Sequence, residues 1–548
     1  MCEELFRLER IPKDWARGLI FPLYKDGDAR VPDNYRGITL LSVVGKIYTS
    51  VLNARVTKWC EKYGVLSEEQ AGFRPGRSTV DHLFAVSEVL RLRRARKKET
   101  HCCFLDIRKA YDTVNRDALW KRLLDVGIQG KFWRVLKNLY EIVESCVLVG
   151  RNRSEWFVVE AGVRQGCILS PILFAIFIEG LARALKSVKV SSTLEGVKFN
   201  IALFADDVVI LAESREDLQR LLDAAFRYSE KWRFRWNCAK CKVIRFSCRN
   251  LKKHLHYFMG VQQLEIVKSF KYLGLDLQQN LSWVGTKWRF WMKAKSRVPM
   301  ILKARLEGLS VSTGVKLWET MVRPTLEYGA EVWGGGNWPQ AEVIQNIAGK
   351  SLLGLYKTSA EEVARGELGW LSMKSRRDVK QLKYWGKLVL MKDTRLVKQI
   401  YRKCKASTSG LKGSFCYSIR TLLTSLNLAH FWNTEQIVSW KDWVGLVTTT
   451  VRQKDTECWL KSILKKSKLQ LYGILKSDLC QEEYLEWEMS SAQRQIYAQF
   501  RSGSHQLRIE RGSWIKQPVA ERVCKVCITG EVENEMHFFA AVLRVSES

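Results

Sequence analysis

The chain has 548 residues, with 90 Lys and Arg against 57 Asp and Glu, for a formal charge of +33. Several domains and a large core fit within that length, and so large a cationic excess points to polyphosphate partners held through counterion release. Fifteen scattered cysteines fit a reducing, intracellular compartment rather than a disulfide scaffold. Met1 to Lys13 is charged and broken by Pro12, unlike a signal peptide. The most apolar run, Ile168 to Ile178, contains Ser170 and Pro171 and is too short to span a bilayer, so no membrane partner is expected.

In chain order, residues 11–50 read as short strands and turns punctuated by Pro12, Pro22, Gly27, Pro32 and Gly37. A helix is predicted from Val43 to Tyr63, ending at Gly64. The basic run Arg91 to Lys98 reads as a solvated helix face, with a nuclear-import signal as the alternative. A strand FLDI precedes helices near Asn115–Asp125 and Phe132–Glu144, and then SCVLVG and WFVVEAGV read as hairpin arms. Ile168 to Ile178 reads as a buried helix. Ser214 and Asp217 have capping-box spacing ahead of a helix with its apolar stripe on Leu218, Leu221, Leu222 and Ala225. Beyond Leu275 the chain turns helical and basic, and Gly334-Gly335-Gly336 before Pro339 reads as a linker. Residues 340–515 hold several helices and many tryptophans, which could stack on single-stranded bases or, more commonly, fill a helical core. Strands and helices mixed in this order predict an α+β fold.

Chemistry concentrates in two segments. FLDIRKAYD carries Asp106, and ALFADDVVILA carries Asp206 and Asp207 between two apolar arms, the pattern of a tight hairpin with acids at its turn. Adjacent carboxylates near a core repel and are costly to desolvate unless a cation neutralises them. Mg²⁺ suits such a site because it takes hard oxygen ligands and keeps places for water and substrate phosphates. Three carboxylates from two strands can hold two ions for in-line nucleotidyl transfer. Alone, Asp-Asp could equally make a surface turn.

The surrounding motifs are NYRGITLLS (Asn34–Ser42), QAGFRPGRST (Gln70–Thr79), GVRQGCILSP (Gly162–Pro171), NCAKCKVIRF (Asn237–Phe246) and Tyr272-Leu273-Gly274. With the two acidic segments, and in this order, they resemble the reverse transcriptase of non-LTR (LINE-type, jockey-like) retrotransposons from about Ile11 to at least Trp333. The resemblance implies a right-hand polymerase: fingers and antiparallel-sheet palm over 1–275, a helical thumb over 276–338, a helical, basic, Trp-rich region over 339–515 and a truncated zinc-knuckle-like segment over 516–548. It implies RNA-directed DNA polymerase activity, with two Mg²⁺ ions on Asp106, Asp206 and Asp207. Its partners would be an RNA template, a DNA primer and deoxynucleoside triphosphates, in the cytoplasm and nucleus. The resemblance also gives Tyr111 the place beneath the incoming sugar, where a ring would exclude a 2′-hydroxyl. Gln165 and Gly166 would lie against the nascent pair. Arg36 would grip the triphosphate with Lys25 assisting, and Arg74 and Arg77 would touch template or support the fingers. Lys240 would stand near the leaving pyrophosphate, with Lys242 a competitor.

Near the end, CKVCITGEVENEMHF offers Cys524, Cys527 and His537 as zinc ligands. The family's fourth ligand, a Cys near position 542, is missing here, which leaves water or an acid such as Glu535 for that place. The start of the chain close to the fingers implies that the endonuclease domain is lacking. A catalytically silent RNA-binding derivative is the competing reading, and an RNA-templated RNA polymerase, disfavoured by Tyr111, is a third.

Overall fold

The structure, a computed structural model, describes residues 2–25, 27–190, 193–194, 196–247, 255–408, 410–527 and 529–538. The chain forms two compact units: 1–282 with 392–408, and 283–391 with 409–548.

In the first unit, β1 (Arg17–Tyr24) and β2 (Tyr35–Leu41) form an antiparallel pair, with Gly18 opposite Leu41 and Tyr24 opposite Tyr35. Ser42 then caps α1 (Val43–Lys62) by accepting the Gly45 N–H. Ser78 and Asp81 form a reciprocal capping box at the start of α2 (Thr79–Ala95). After β3 (Thr100–Leu105), Asn115 caps α3 (Arg116–Asp125), and α4 (Gly130–Asn138) follows. Strand β4 (Glu144–Val149) runs parallel to β1. Next come α5 (Ser170–Lys186), the hairpin β5 (Ile201–Phe204) and β6 (Asp207–Ala212), and α6 (Arg215–Lys231), capped by Ser214. Further strands of the unit include β7 (Lys242–Phe246), β8 (Glu265–Ile266), β9 (Ser269–Tyr272) and β10 (Leu275–Gln278).

The central sheet has the order β8-β7-β3-β6-β5, antiparallel except for β8 on β7. Each residue of β3 is buried, so its apolar run is covered on both faces. Helices α5 and α6 back the sheet through Leu173, Phe177, Leu181, Leu218, Leu221 and Leu222, all essentially inaccessible. Truncating any one of these leucines to Ala would cost about 2–5 kcal/mol.

Several expectations change. The predicted helix over Phe132–Glu144 ends at Asn138, because Val143 and the residues after it turn into β4. The second hairpin arm shrinks to Phe157–Val158. The basic run Arg91–Lys98 is a solvated face only in part: Arg93 is buried against Glu213 and Thr100, and Arg91 and Arg94 reach the carbonyls of Leu281 and Gln279, while Arg96, Lys97 and Lys98 are exposed. The helix Leu396–Thr408, expected with the C-terminal region, packs on α2 in the first unit. Arg395 just before it pairs with Glu68 at 3.1 Å.

The second unit is helical. Its opening helix, Val284–Lys295, exposes Val284, Trp288 and Met292 on one stripe, with Trp291 stacked obliquely on Trp288 at 5.0 Å. No acid occurs between Asp276 and Glu307, whereas seven Lys or Arg do. The glycine triplet is a packed corner, not a linker. Arg377 donates to the carbonyls of Gly334 and Gly336, and a Cβ on Gly334 would come within 2.3 Å of the Ala330 oxygen. Trp370, Trp385, Trp432, Trp443 and Trp459 are buried in helical core, and Trp440 and Trp487 are exposed. Among the described residues no helix is long and apolar enough to cross a membrane.

Candidate active site

The site forms where β3 and β6 end together. Val208 pairs with Leu105, so one step further along the strands Asp207 meets Asp106. Asp207 pairs with Phe204 across the β5–β6 hairpin, which leaves Ala205 and Asp206 as a two-residue turn. Ala205 has φ +58°, a conformation costing an L-residue about 1–2 kcal/mol. Neighbouring backbone offsets that strain: Leu203 donates to the Glu69 carbonyl at 2.8 Å, and Ala71 donates to the Leu203 carbonyl at 2.9 Å. Gln70 is fully buried, and its Oε1 accepts from Gly72 (2.8 Å) and Ala205 (3.3 Å). The QAG segment is thus a brace for the acidic turn.

The three acids feel one another. Asp207 reaches solvent at the mouth of the site, yet displaced water and the charges of Asp206 and Asp106 push its carboxyl up to about 6. Partial burial holds Asp106 above the usual carboxylate range, with Asp206 adding to this and Lys240 and Asn237 opposing it. A carboxylate group held this way has unmet demand for a cation, and hard oxygen donors fit Mg²⁺.

Lys25 and Arg36, on or just beyond the ends of β1 and β2, bring positive charge to the same place: Lys25 acts on Asp106 and Asp112, and Arg36 on Tyr111 and Asp112. Tyr111 stacks face to face on Phe174 of α5 (5.2 Å, 13°), which fixes its ring. Gln165 donates from Nε2 to Asp112 Oδ1 at 2.9 Å, and its carbonyl accepts the Thr39 N–H at 3.0 Å. Gly166 has φ +112°, and a Cβ there would lie 2.4 Å from the Thr39 carbonyl oxygen, so glycine lets this loop touch β2.

Of the two roles the sequence leaves open for Arg74, template contact or support of the fingers, its bonds fit the second. It is buried, with its guanidinium held by Glu61 (2.7 and 3.0 Å) and by the carbonyls of Ser67 and Gln70. Arg77 is likewise paired to Glu68. Both arginines support the loop that braces Asp206. Of the competing lysines, Lys242 bonds Glu265 (2.6 Å) and the Ala239 carbonyl, while Lys240 acts on Asp106. Sequence reasoning missed Gln70, Asn237 and Cys241. All three lie inside motifs it quoted, but their partners are distant in the chain.

In the second unit, one ligand atom from each of Cys524, Cys527 and His537 lies within 4.8 Å of the others. Cys527 Sγ is 3.1 Å from His537 Nε2, and Glu531 engages His537 Nδ1 at 3.0 Å, as the carboxylate behind a zinc-binding histidine usually does. Hydrogen bonds from Thr529, then Cys524 and His537, lower the Cys527 thiol to about 7. This donor set fits Zn²⁺. Glu535 does not take the fourth place, because it bonds His505 Nε2 at 2.8 Å. Position 542 lies outside the described residues.

An antiparallel sheet presenting three mutually repelling acids, with basic strands facing them, has the makings of a nucleotidyl-transfer palm. Residues 23–277 match the family described as reverse transcriptase (RNA-dependent DNA polymerase), and this part of the chain is a reverse transcriptase domain. The chain is 28% identical over 370 residues to the probable RNA-directed DNA polymerase from transposon X-element of Drosophila melanogaster, covering 64% of this chain and 39% of that one. It is 26% identical over 339 residues to the RNA-directed DNA polymerase from mobile element jockey of Drosophila funebris, covering 60% and 36%. The chain therefore spans well under half the length of these relatives. A solved telomerase from Candida albicans, in complex with a telomeric RNA fragment, overlaps 79% of this chain and 68% of its own at 14% identity. Its TM-score of 0.38 is too low to establish a shared fold.

Proposed function

We propose that this chain is an RNA-directed DNA polymerase of a non-LTR retrotransposon, adding deoxynucleotides to a primer 3′-hydroxyl on an RNA template. The observation carrying this reading is the meeting of Asp106 with Asp206 and Asp207 at one end of the β3–β6 pair, with the Asp207 carboxyl raised to about 6.

In this reading Asp106, Asp206 and Asp207 hold two Mg²⁺ ions. When bound, the ions lower the pKa of the primer hydroxyl and neutralise charge on the leaving pyrophosphate. Arg36 and Lys25 receive the triphosphate, Arg36 through a two-pronged guanidinium grip. The Tyr111 ring, backed by Phe174, lies under the sugar and excludes a 2′-hydroxyl. Gln165 meets the nascent base pair, and Lys240 donates a proton to pyrophosphate. The exposed Trp288 stripe and the acid-free basic stretch around it form a thumb against the RNA–DNA hybrid. Cys524, Cys527 and His537 hold zinc with water in the fourth position, and the protein works in cytoplasm and nucleus.

Primer extension by the full chain on an RNA template tests the proposal. Deoxynucleotides should be incorporated with Mg²⁺ and ribonucleotides poorly, and Asp206→Asn should lower the rate by orders of magnitude. RNA binding without extension by folded wild-type protein would favour the silent derivative.

A further inference from the structure

Beyond the acids themselves, one turn grips Asp106 from several directions. Residues 237–241 close on themselves, with the Lys240 and Cys241 N–H groups donating to the Asn237 carbonyl at 2.9 and 3.0 Å. From this turn the Asn237 N–H donates to the Asp106 carbonyl at 2.8 Å, and the Asn237 side chain favours the charged form of the Asp106 carboxylate. Cys241, wholly buried, accepts the Asp106 N–H on its Sγ at 3.4 Å and turns its own S–H toward the Asp106 carbonyl at 4.0 Å. Both backbone polar groups of Asp106 are thus committed to this turn. The segment on either side is anchored by pairing, Ile107 with Trp236 and Phe104 with Lys242.

We infer that Asn237 and Cys241 are positioning residues that aim the Asp106 carboxylate at the divalent cation, an inference that rests on the polymerase reading. Asp106 lies one residue beyond the last paired position of β3, where the sheet no longer fixes its backbone. A carboxylate just past a strand end can rotate away from a metal ion, and groups behind a ligand restrict that rotation. Asn237 holds the Asp106 carbonyl through its own N–H, and Cys241 holds the peptide planes on either side of the Cα. The Cys241 thiol suits this place because it fills an apolar pocket while still contacting both backbone groups. Lys240, between the two, rides on the same turn, so displacing the turn would disturb the acid and the cation beside it together.

The test compares Asn237→Ala, Cys241→Ala, the conservative Cys241→Ser and a control, Cys102→Ala, which opens a similar buried space on β3 without touching Asp106. Mn²⁺ binding is followed by the electron paramagnetic resonance signal of the free ion, with an RNA–DNA hybrid, a chain-terminated primer and incoming nucleotide present. Primer extension against Mg²⁺ concentration runs in parallel. Asn237→Ala and Cys241→Ala should weaken Mn²⁺ binding about 10-fold, with the loss in extension partly recovered at high metal. Cys241→Ser should restore most of the affinity and Cys102→Ala should match wild type. Unchanged Mn²⁺ binding in both alanine variants, beside a wild type that binds and extends, would overturn the inference and leave the polymerase reading intact. Equal weakening in Cys102→Ala would also overturn it, as a general packing effect. A wild type that neither binds Mn²⁺ nor extends would remove the polymerase reading itself.

Discussion

Gln70 accepts the Ala205 N–H at 3.3 Å, and by that bond the start of the QAGFRPGRST motif braces the turn that carries Asp206. Gly72 completes the contact, since a Cβ at that position would lie 2.4 Å from the Ala205 nitrogen. The nearest atoms are backbone, so they cannot step aside without moving the turn. Gly72→Ala should therefore cut primer extension about 100-fold, the scale expected for a displacement near 1 Å at a reacting centre. Thermal melting and single-turnover extension, measured on the same preparation, check this, and activity should fall far more than stability.

Tyr111 is held flat against Phe174, so its ring has little room to yield to a larger sugar. Tyr111→Val should raise ribonucleotide incorporation relative to deoxynucleotide by about 10- to 200-fold, the range for relieving a small steric exclusion. The ratio of kcat/KM for the two nucleotides is the readout, with the deoxynucleotide value falling only modestly.

The acid cluster also sets a pH dependence for the metal-free protein. The Asp207 carboxyl is at about 6 in the fold, against 3.8 for an ordinary Asp. Between these values the folded chain holds more protons than the unfolded one, so this group's contribution to stability falls as pH rises through the window and stays low above 6. Asp207→Asn should then stabilise the metal-free protein at pH 7.5 by about 0.5 kcal/mol, a low figure because the side chain reaches solvent. Mg²⁺ should raise the melting temperature of wild type more at pH 7.5 than at pH 5. Melting curves at the two pH values, with and without the ion, decide it.

For the C-terminal cluster, the purified protein should carry about one zinc per chain, held by three side chains with water completing the tetrahedron. Cys527→Ser should lose it, because that sulfur lies 3.1 Å from both His537 Nε2 and Thr529 Oγ1. Glu535→Gln should keep it, since Glu535 is turned to His505. Elemental analysis of the three proteins separates these outcomes.

Much of this architecture was legible in local pattern. The β5–β6 hairpin announces itself through apolar arms around Asp206 and Asp207, and α6 through Ser214 and its leucine stripe, because both rest on contacts between near neighbours. What the sequence concealed is non-local. Gly334 to Gly336 read as flexible until Arg377, some forty residues on, is seen holding their carbonyls. Arg74 read as touching template or supporting the fingers, and only its pairing with Glu61, thirteen residues earlier, turns it inward. The helix Leu396–Thr408 gives no sign in its own residues that it packs on α2, over three hundred residues earlier. Asn237 and Cys241 sit in a motif noticed for its lysine, and only their bonds to Asp106 disclose a role.

The central claim is that Asp106, Asp206 and Asp207 share divalent cations at the primer end. Anomalous scattering from crystals grown with Mn²⁺, an RNA template, a chain-terminated DNA primer and a matching nucleotide tests it most directly. The account predicts two peaks about 4 Å apart among these carboxylates, beside the primer terminus. Absence of any peak there, with hybrid and nucleotide in place, would contradict it.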